Sequence, residues 1–160
     1  RCIVVTGESV KNGKSVPHAW NMVNINGQPY HFDVTWDIGA IGTSFKRIPY
    51  DYFNLSDQLI IKEHKADTQL PTCSSMQHNY FKVNKRTFWM KSQAIAYVEK
   101  ALQDGDAEFY FRVEGRNVAS DVAEKIYDQI CVFFSGKGIT DKRVKRIAND
   151  KIGTCWIKIY

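Results

Sequence analysis

The 160 residues carry 22 Lys and Arg against 17 Asp and Glu, a formal net charge of +5, with 44% hydrophobic and 13% aromatic residues. That composition excludes an intrinsically disordered chain, and the length suits one domain or a domain with a small annex. No apolar run approaches the roughly 20 residues needed to span a bilayer, and the moderate basic excess reads as a solvated surface rather than a docking face.

Residues 2–6 read as a buried strand ended by Gly7, and the chain opens at Arg1 inside this strand-like run, so an upstream part is expected. Residues 8–16, with Asn12-Gly13 in the middle, read as a polar loop leading to Pro17. From His18 to Asp37 the sequence HAWNMVNINGQPYHFDVTWD reads as a β-hairpin. Asn26-Gly27 supplies its corner, because both central positions of the favoured two-residue loop need φ > 0. Ile25 then faces Gln28, Trp20 sits opposite Asp33 and His18 opposite Thr35. Alternation puts His18, Trp20, Met22, His31, Asp33 and Thr35 on one face. Ala19, Asn21, Val23, Ile25, Tyr30, Phe32 and Val34 take the other, the expected core face. His18 and Asp33 become diagonal neighbours, with Cβ atoms roughly 5–8 Å apart. A carboxylate that accepts from one imidazole nitrogen fixes the tautomer and leaves the other nitrogen for a nucleophile's proton.

After Asp37, IGAIGTSFKRIP reads as a Gly-bearing loop, and residues 50–54 as an aromatic cluster packed under the hairpin. Ser56 or Asp57 is placed to cap a short helix running through Leu59, Ile60 and His64. Residues 66–78 read as a loop, and 80–83 as a strand with 88–90 pairing back across Asn84-Lys85. From Ser92, a plausible N-cap, the pattern changes. Ile95, Val98 and Leu102 recur at helical spacing up to Asp104-Gly105. Residues 108–113 alternate as a strand, and 119–134 form an amphipathic helix with Val122, Ile126, Ile130 and Phe133 on its stripe. Residues 143–148 and 153–160 read as strands joined at Asn149-Asp150. The expected fold class is therefore α+β, with residues 1–90 as one part and 91–160 as a small α-β-α-β-β two-layer subdomain.

HAWN followed by a hairpin and DVTWD resembles the histidine and aspartate segments of the transglutaminase-like superfamily, papain-like Cys-His-Asp enzymes that include many bacterial proteins. The similarity continues through YDYFNLSD (50–57) to LPTC and NYF (70–81), and so covers about half the chain. The resemblance implies an antiparallel sheet half of such a domain, with His18 as catalytic base, Asp33 as its orienting carboxylate and Trp20 lining the substrate cleft. It also implies acyl transfer on a peptide or glutamine-type amide, with peptidase, amidase and cross-linking activity all open. A protein or peptide substrate, cell-wall association and a secreted or cell-surface location follow from the same resemblance. In such enzymes the nucleophile lies upstream of the histidine on a helix, which implies that residues 1–160 hold a base and an orienter without their nucleophile and are inactive alone.

The cysteines agree with that. Cys2, Cys131 and Cys155 fall in a strand, a helix and a strand, and Cys73 in a loop with no convincing helix start. They show no zinc-type spacing, and one disulfide remains open. A metal site from His18, His31 and Asp33 lacks a fourth ligand, so neither metal nor cofactor is expected. His31 is expected near solvent, His64 and His78 stand alone, and Asp37 is given a structural role. The basic run Lys142, Arg143, Lys145, Arg146 has no aromatic platform or phosphate loop, so no nucleic-acid partner is expected. The rival reading is a non-catalytic binding or scaffolding module at a cell surface; a plain structural domain also remains open.

Overall fold

The computed structural model describes residues 1–11, 13–39 and 48–160, which divide into two compact units, Arg1–Asn84 and Lys85–Tyr160. The class is α+β with mostly antiparallel sheets.

The first unit is built on β1 (Cys2–Lys11), β2 (Lys14–Ile25), β3 (Gln28–Phe32), the short helix α1 (Val34–Gly39), β4 (Phe53–Leu55), α2 (Asp57–Ile60), β5 (His64–Ala66) and α3 (Tyr80–Val83). Its five strands run antiparallel in the order β4-β3-β2-β1-β5. The Asn26-Gly27 corner forms as the sequence requires, with φ of 51° and 83°, and Ile25 pairs with Gln28. The segment 8–16 is not a loop. Its polar side chains belong to two long strands that continue to the pair Lys11 and Lys14, with Gly13 at φ 74° in the turn. Asn12 and the stretch 40–47, most of the expected Gly-bearing loop, lie outside the described residues.

Both faces of the hairpin bury side chains, so the expected division into a core face and a polar face does not hold. Val5, Trp20, Met22 and Cys73 form a buried cluster with Ala66 and Leu70 against it, and on the expected core face Tyr30 is fully buried while Val23, Ile25 and Phe32 are half-buried and Ala19 is exposed. The site-bearing face turns inward as well because its Trp and Met side chains carry much apolar area. The edge strand β4 pairs beside β3, not beneath the hairpin, and Phe53 packs on Phe32 with centroids 4.4 Å apart. Helix α2 ends at Ile60, and Ser56 flanks it without a side-chain cap; His64 instead begins β5. Residues 80–83 are helical because the Asn79 side chain accepts from the Phe81 N–H, and Lys85 at φ 55° turns the chain out.

The second unit holds β6 (Thr87–Phe88), α4 (Lys91–Gln103), β7 (Glu108–Val113), α5 (Ala119–Gly136), β8 (Val144–Asn149) and β9 (Thr154–Ile159). Its sheet order is β6-β7-β9-β8, with β6 parallel to β7 and the other pairs antiparallel. Residues 88–90 therefore do not pair back on 80–83: Phe88 pairs with Val113. This places the division at Asn84/Lys85, before the change of pattern in the sequence. The turn ahead of α4 is closed by Gln93 Oε1, which accepts from Met90 N–H, so Ser92 lies inside the helix. Val98, Phe109, Phe111, Val122, Ile126, Ile130 and Ile157 form the core between the helices and the sheet. Strand β7 is buried along almost its whole length because it is central and covered, so its alternation in sequence does not translate into alternate exposure.

Candidate functional site

The register of the first sheet gathers a set of polar side chains on its inward face. Gly7 pairs with His18, Ser9 with His64, and Met22 with His31, and directly paired residues point the same way. Asp33 follows β3 and enters α1. Its Oδ1 accepts from the Trp36 N–H at 3.0 Å, a helix N-cap, which leaves Oδ2 to turn toward the sheet. There Oδ2 meets two imidazoles. His18 Nε2 stands 2.6 Å away and His64 Nε2 2.8 Å away. Both contacts require the Nε2–H tautomers if the carboxylate is ionised, since an ionised carboxylate only accepts.

Asp33 and His64 are fully buried at the side chain, and His18 is 13% exposed. Burial alone would raise the Asp33 pKa, but hydrogen bonds from His64, His18 and the Trp36 backbone outweigh it and hold the carboxyl below its ordinary value. Aromatic rings wall the group. Trp20 stacks on His18 with centroids 6.3 Å apart and planes within 16°; Trp36 lies 5.9 Å from His18 and 4.7 Å from His64. His18 Nδ1 has no hydrogen-bond partner among the described residues.

A second polar cluster lies beneath. Trp20 Nε1–H donates to His31 Nδ1 at 3.0 Å, so His31 carries its proton on Nε2 and donates it to Asp57 Oδ1 at 2.8 Å. Asp57 Oδ2 accepts from the Cys73 N–H at 2.8 Å. Burial lowers the His31 pKa against the pull of Asp57. His31 is thus buried rather than solvent-facing, and joins Asp57 rather than Asp33. The metal trio weighed from sequence does not assemble, and the residue beside His18 and Asp33 is His64. Its signal in sequence was weak, because a strand of three residues between a short helix and a loop shows no period of its own.

All four cysteines are free thiols. Cys73 is buried, and burial with the nearby Asp57 charge pushes its thiol up to about 12. Cys155 donates its S–H to the Ala119 carbonyl inside the second unit, and Cys2 lies exposed on β1. Asp37 is fully buried and accepts from the Tyr52 N–H, a structural position. Burial pushes its carboxyl up to about 7. No described helix is long and apolar enough to cross a membrane. The chain matches no protein-family model, and no curated protein is similar to it above background.

Proposed function

We propose that this chain carries the histidine and aspartate of a transglutaminase-like cysteine acyltransferase or peptidase, acting on a peptide or glutamine-type amide. The observation that supports this reading is the 2.6 Å contact between His18 Nε2 and Asp33 Oδ2, with His18 Nδ1 left over. An imidazole held through one nitrogen presents the other, in a fixed direction, to a nucleophile's proton. In the reaction a thiol gives its proton to His18 Nδ1 and attacks the amide carbon. The C–N bond then breaks, with the His18 proton passing to the leaving amine. Water or a second amine, deprotonated by the same nitrogen, releases the acyl group. Asp33 stabilises the imidazolium, and Trp20 shields the ring from water while lining the acyl side of the cleft.

Among the described residues no cysteine suits the nucleophile: Cys73 is buried with its thiol raised, and Cys2, Cys131 and Cys155 lie within strands or a helix rather than at a helix start. The reading therefore draws the thiol from outside residues 1–160. The same fact favours a second reading, a non-catalytic module of the same fold that binds protein or peptide at a cell surface. Secretion and a bacterial source belong to the proposal with it.

The deciding measurement is the rate of labelling by a peptide-linked thiol electrophile in the longer protein that includes the segment before Arg1. His18→Ala is expected to slow it by 10²-fold or more, the usual weight of a positioned base. Equal rates in a folded His18→Ala variant would leave the binding module as the better account.

A further inference from the structure

We propose that His18, Asp33 and His64 form a binding site for a single zinc-class divalent cation. Their donor atoms, two imidazole nitrogens and one carboxylate oxygen, all lie within 4.8 Å of one another. They come from β2, the residue after β3, and β5, so the sheet register itself brings them together. Two nitrogens and one oxygen suit Zn²⁺ and its neighbours, whereas Ca²⁺ and Mg²⁺ want oxygen throughout. Three protein ligands leave a fourth position for water, and His18, the one ligand that solvent reaches, marks its direction.

The surroundings are arranged as outer-shell support. Asp33 Oδ1 is tied down by the Trp36 N–H, leaving Oδ2 as a single-point ligand. A histidine bound through Nε2 carries its proton on Nδ1, and that N–H wants an acceptor. His64 Nδ1 is buried with no partner, and so is Ser9 Oγ, on the residue directly paired with His64 across β1 and β5. Two buried polar atoms without partners, on directly paired residues, are costly. Coordination gives His64 Nδ1 a proton to donate, and the Ser9 hydroxyl becomes its acceptor once the site opens around the ion. Neutral imidazoles need only shift their protons from Nε2 to Nδ1, so no proton leaves the site. Donors around a tetrahedral ion at 2.0–2.1 Å stand about 3.3 Å apart. The present 2.6 and 2.8 Å contacts must therefore open by roughly half an ångström each, so the buried His64 as well as the partly exposed His18 has to move.

The cluster of His31, Asp57 and Cys73 is equally tight but chemically unsuited. His31 Nδ1 is already the acceptor for the Trp20 indole, so its proton occupies Nε2, the nitrogen a cation would need. A cation there would also have to ionise a buried thiol. That cluster serves as the control. The inference stands apart from the acyl-transfer reading, which it opposes in one respect: a cation on His18 Nε2 removes the hydrogen bond that orients the base.

The test is a Zn²⁺ titration of the whole chain by calorimetry, with Co²⁺ as a spectroscopic substitute. One ion per chain is expected. His18→Gln should weaken binding by more than the 10–100-fold that loss of an outer-shell partner costs, and Ser9→Ala by about 10-fold. Cys73→Ser should bind as the wild type does, and the Co²⁺ complex should show visible bands without thiolate charge transfer. Near-ultraviolet circular dichroism verifies the fold of each variant, with Asp33→Asn as the second ligand variant. An absence of binding, unchanged binding in both folded ligand variants (an adventitious ion only), or a thiolate band lost in Cys73→Ser would each overturn the proposal.

Discussion

Asp33 and Asp37 stand one helical turn apart, the Asp37 N–H donating to the Asp33 carbonyl, and both are buried. Their carboxyls are driven in opposite directions because hydrogen bonds outweigh burial at Asp33, whereas burial prevails at Asp37, helped by the charges of Asp51 and Asp33. For Asp33 the native pKa is below the unfolded one. Its contribution to stability is present above the unfolded value of 3.8 and is lost as pH falls through the lower native value. For Asp37 the native state binds its proton more tightly between 3.8 and about 7, so stability from this group declines as pH rises across that window. That difference corresponds to something on the order of 4 kcal/mol. Asp37→Asn, which keeps an acceptor for Tyr52 without the charge, should gain on the wild type in urea denaturation as pH rises, by roughly 2–3 kcal/mol between pH 5 and pH 8. Asp33→Asn should behave in the opposite way, losing about 2–3 kcal/mol at pH 7, since an amide has only one acceptor oxygen for three donors. Cysteine reactivity divides as clearly. Iodoacetamide at pH 8 should label exposed Cys2 and spare Cys73, as mass spectrometry of the folded chain would show; rapid labelling of Cys73 would contradict its raised thiol. Strand parity and one Asn-Gly corner made His18 legible at this scale, whereas Asp33 lies past the end of β3 and owes its direction to capping α1. His64 was not legible, since its neighbour depends on which strand β5 chooses.

At the scale of elements, β5 holds His64 in place through only three residue pairs with β1, and Gly7 is central to that arrangement. A Cβ built on Gly7 would come within 2.1 Å of the Lys65 carbonyl oxygen and 2.9 Å of Ala66 Cα. The obstruction is backbone, so β5 itself has to move. Gly7→Ala should therefore cost about 1–3 kcal/mol, the usual range for overpacking. It should also shift the His64 ring resonances in NMR while leaving the Ile25–Gln28 end of the hairpin unchanged. Elements with strong local signals read correctly from sequence: the Asn26-Gly27 hairpin as far as Phe32, α5 with its apolar stripe, and β8 with β9. Beyond Phe32 the expected strand gives way to α1, so Trp20 and His18 do not pair with Asp33 and Thr35. The errors arose where local composition and tertiary position disagree. Polar residues 8–11 and 14–16 are strand because they extend a ladder already begun. Tyr80–Val83 is helix because one asparagine caps it, although its aromatic and β-branched residues favour a strand. The face of the hairpin expected to be polar is buried along with Tyr30 on the other, because its Trp and Met side chains bring large apolar area.

At the scale of the whole molecule, each of the two units has a sheet and a buried cluster of its own. Ile126 is almost fully enclosed in the second core, and Ile126→Ala should cost about 2–5 kcal/mol there. In native-state hydrogen exchange the amides of β7 and β9 should lose that protection while those of β1 and β2 keep theirs. An equal loss throughout would show one cooperative body instead. The α-β-α-β-β order of the second unit was readable because each of those elements carries its own helical or strand period in the sequence. The parallel strand β6 was not, since two residues carry no pattern and their partner lies more than twenty positions on.

The hairpin corner also bears on how the protein ages. Asn-Gly sequences deamidate when the glycine nitrogen attacks the asparagine side chain, closing a succinimide that reopens largely as isoaspartate. Here the Gly27 nitrogen donates its hydrogen to Asn24 Oδ1 at 2.9 Å, and both corner residues are held in the left-handed region. The attacking atom is engaged and the backbone is not free to swing, so chemical decay at Asn26 must wait for the corner to open. Its clock is a conformational one.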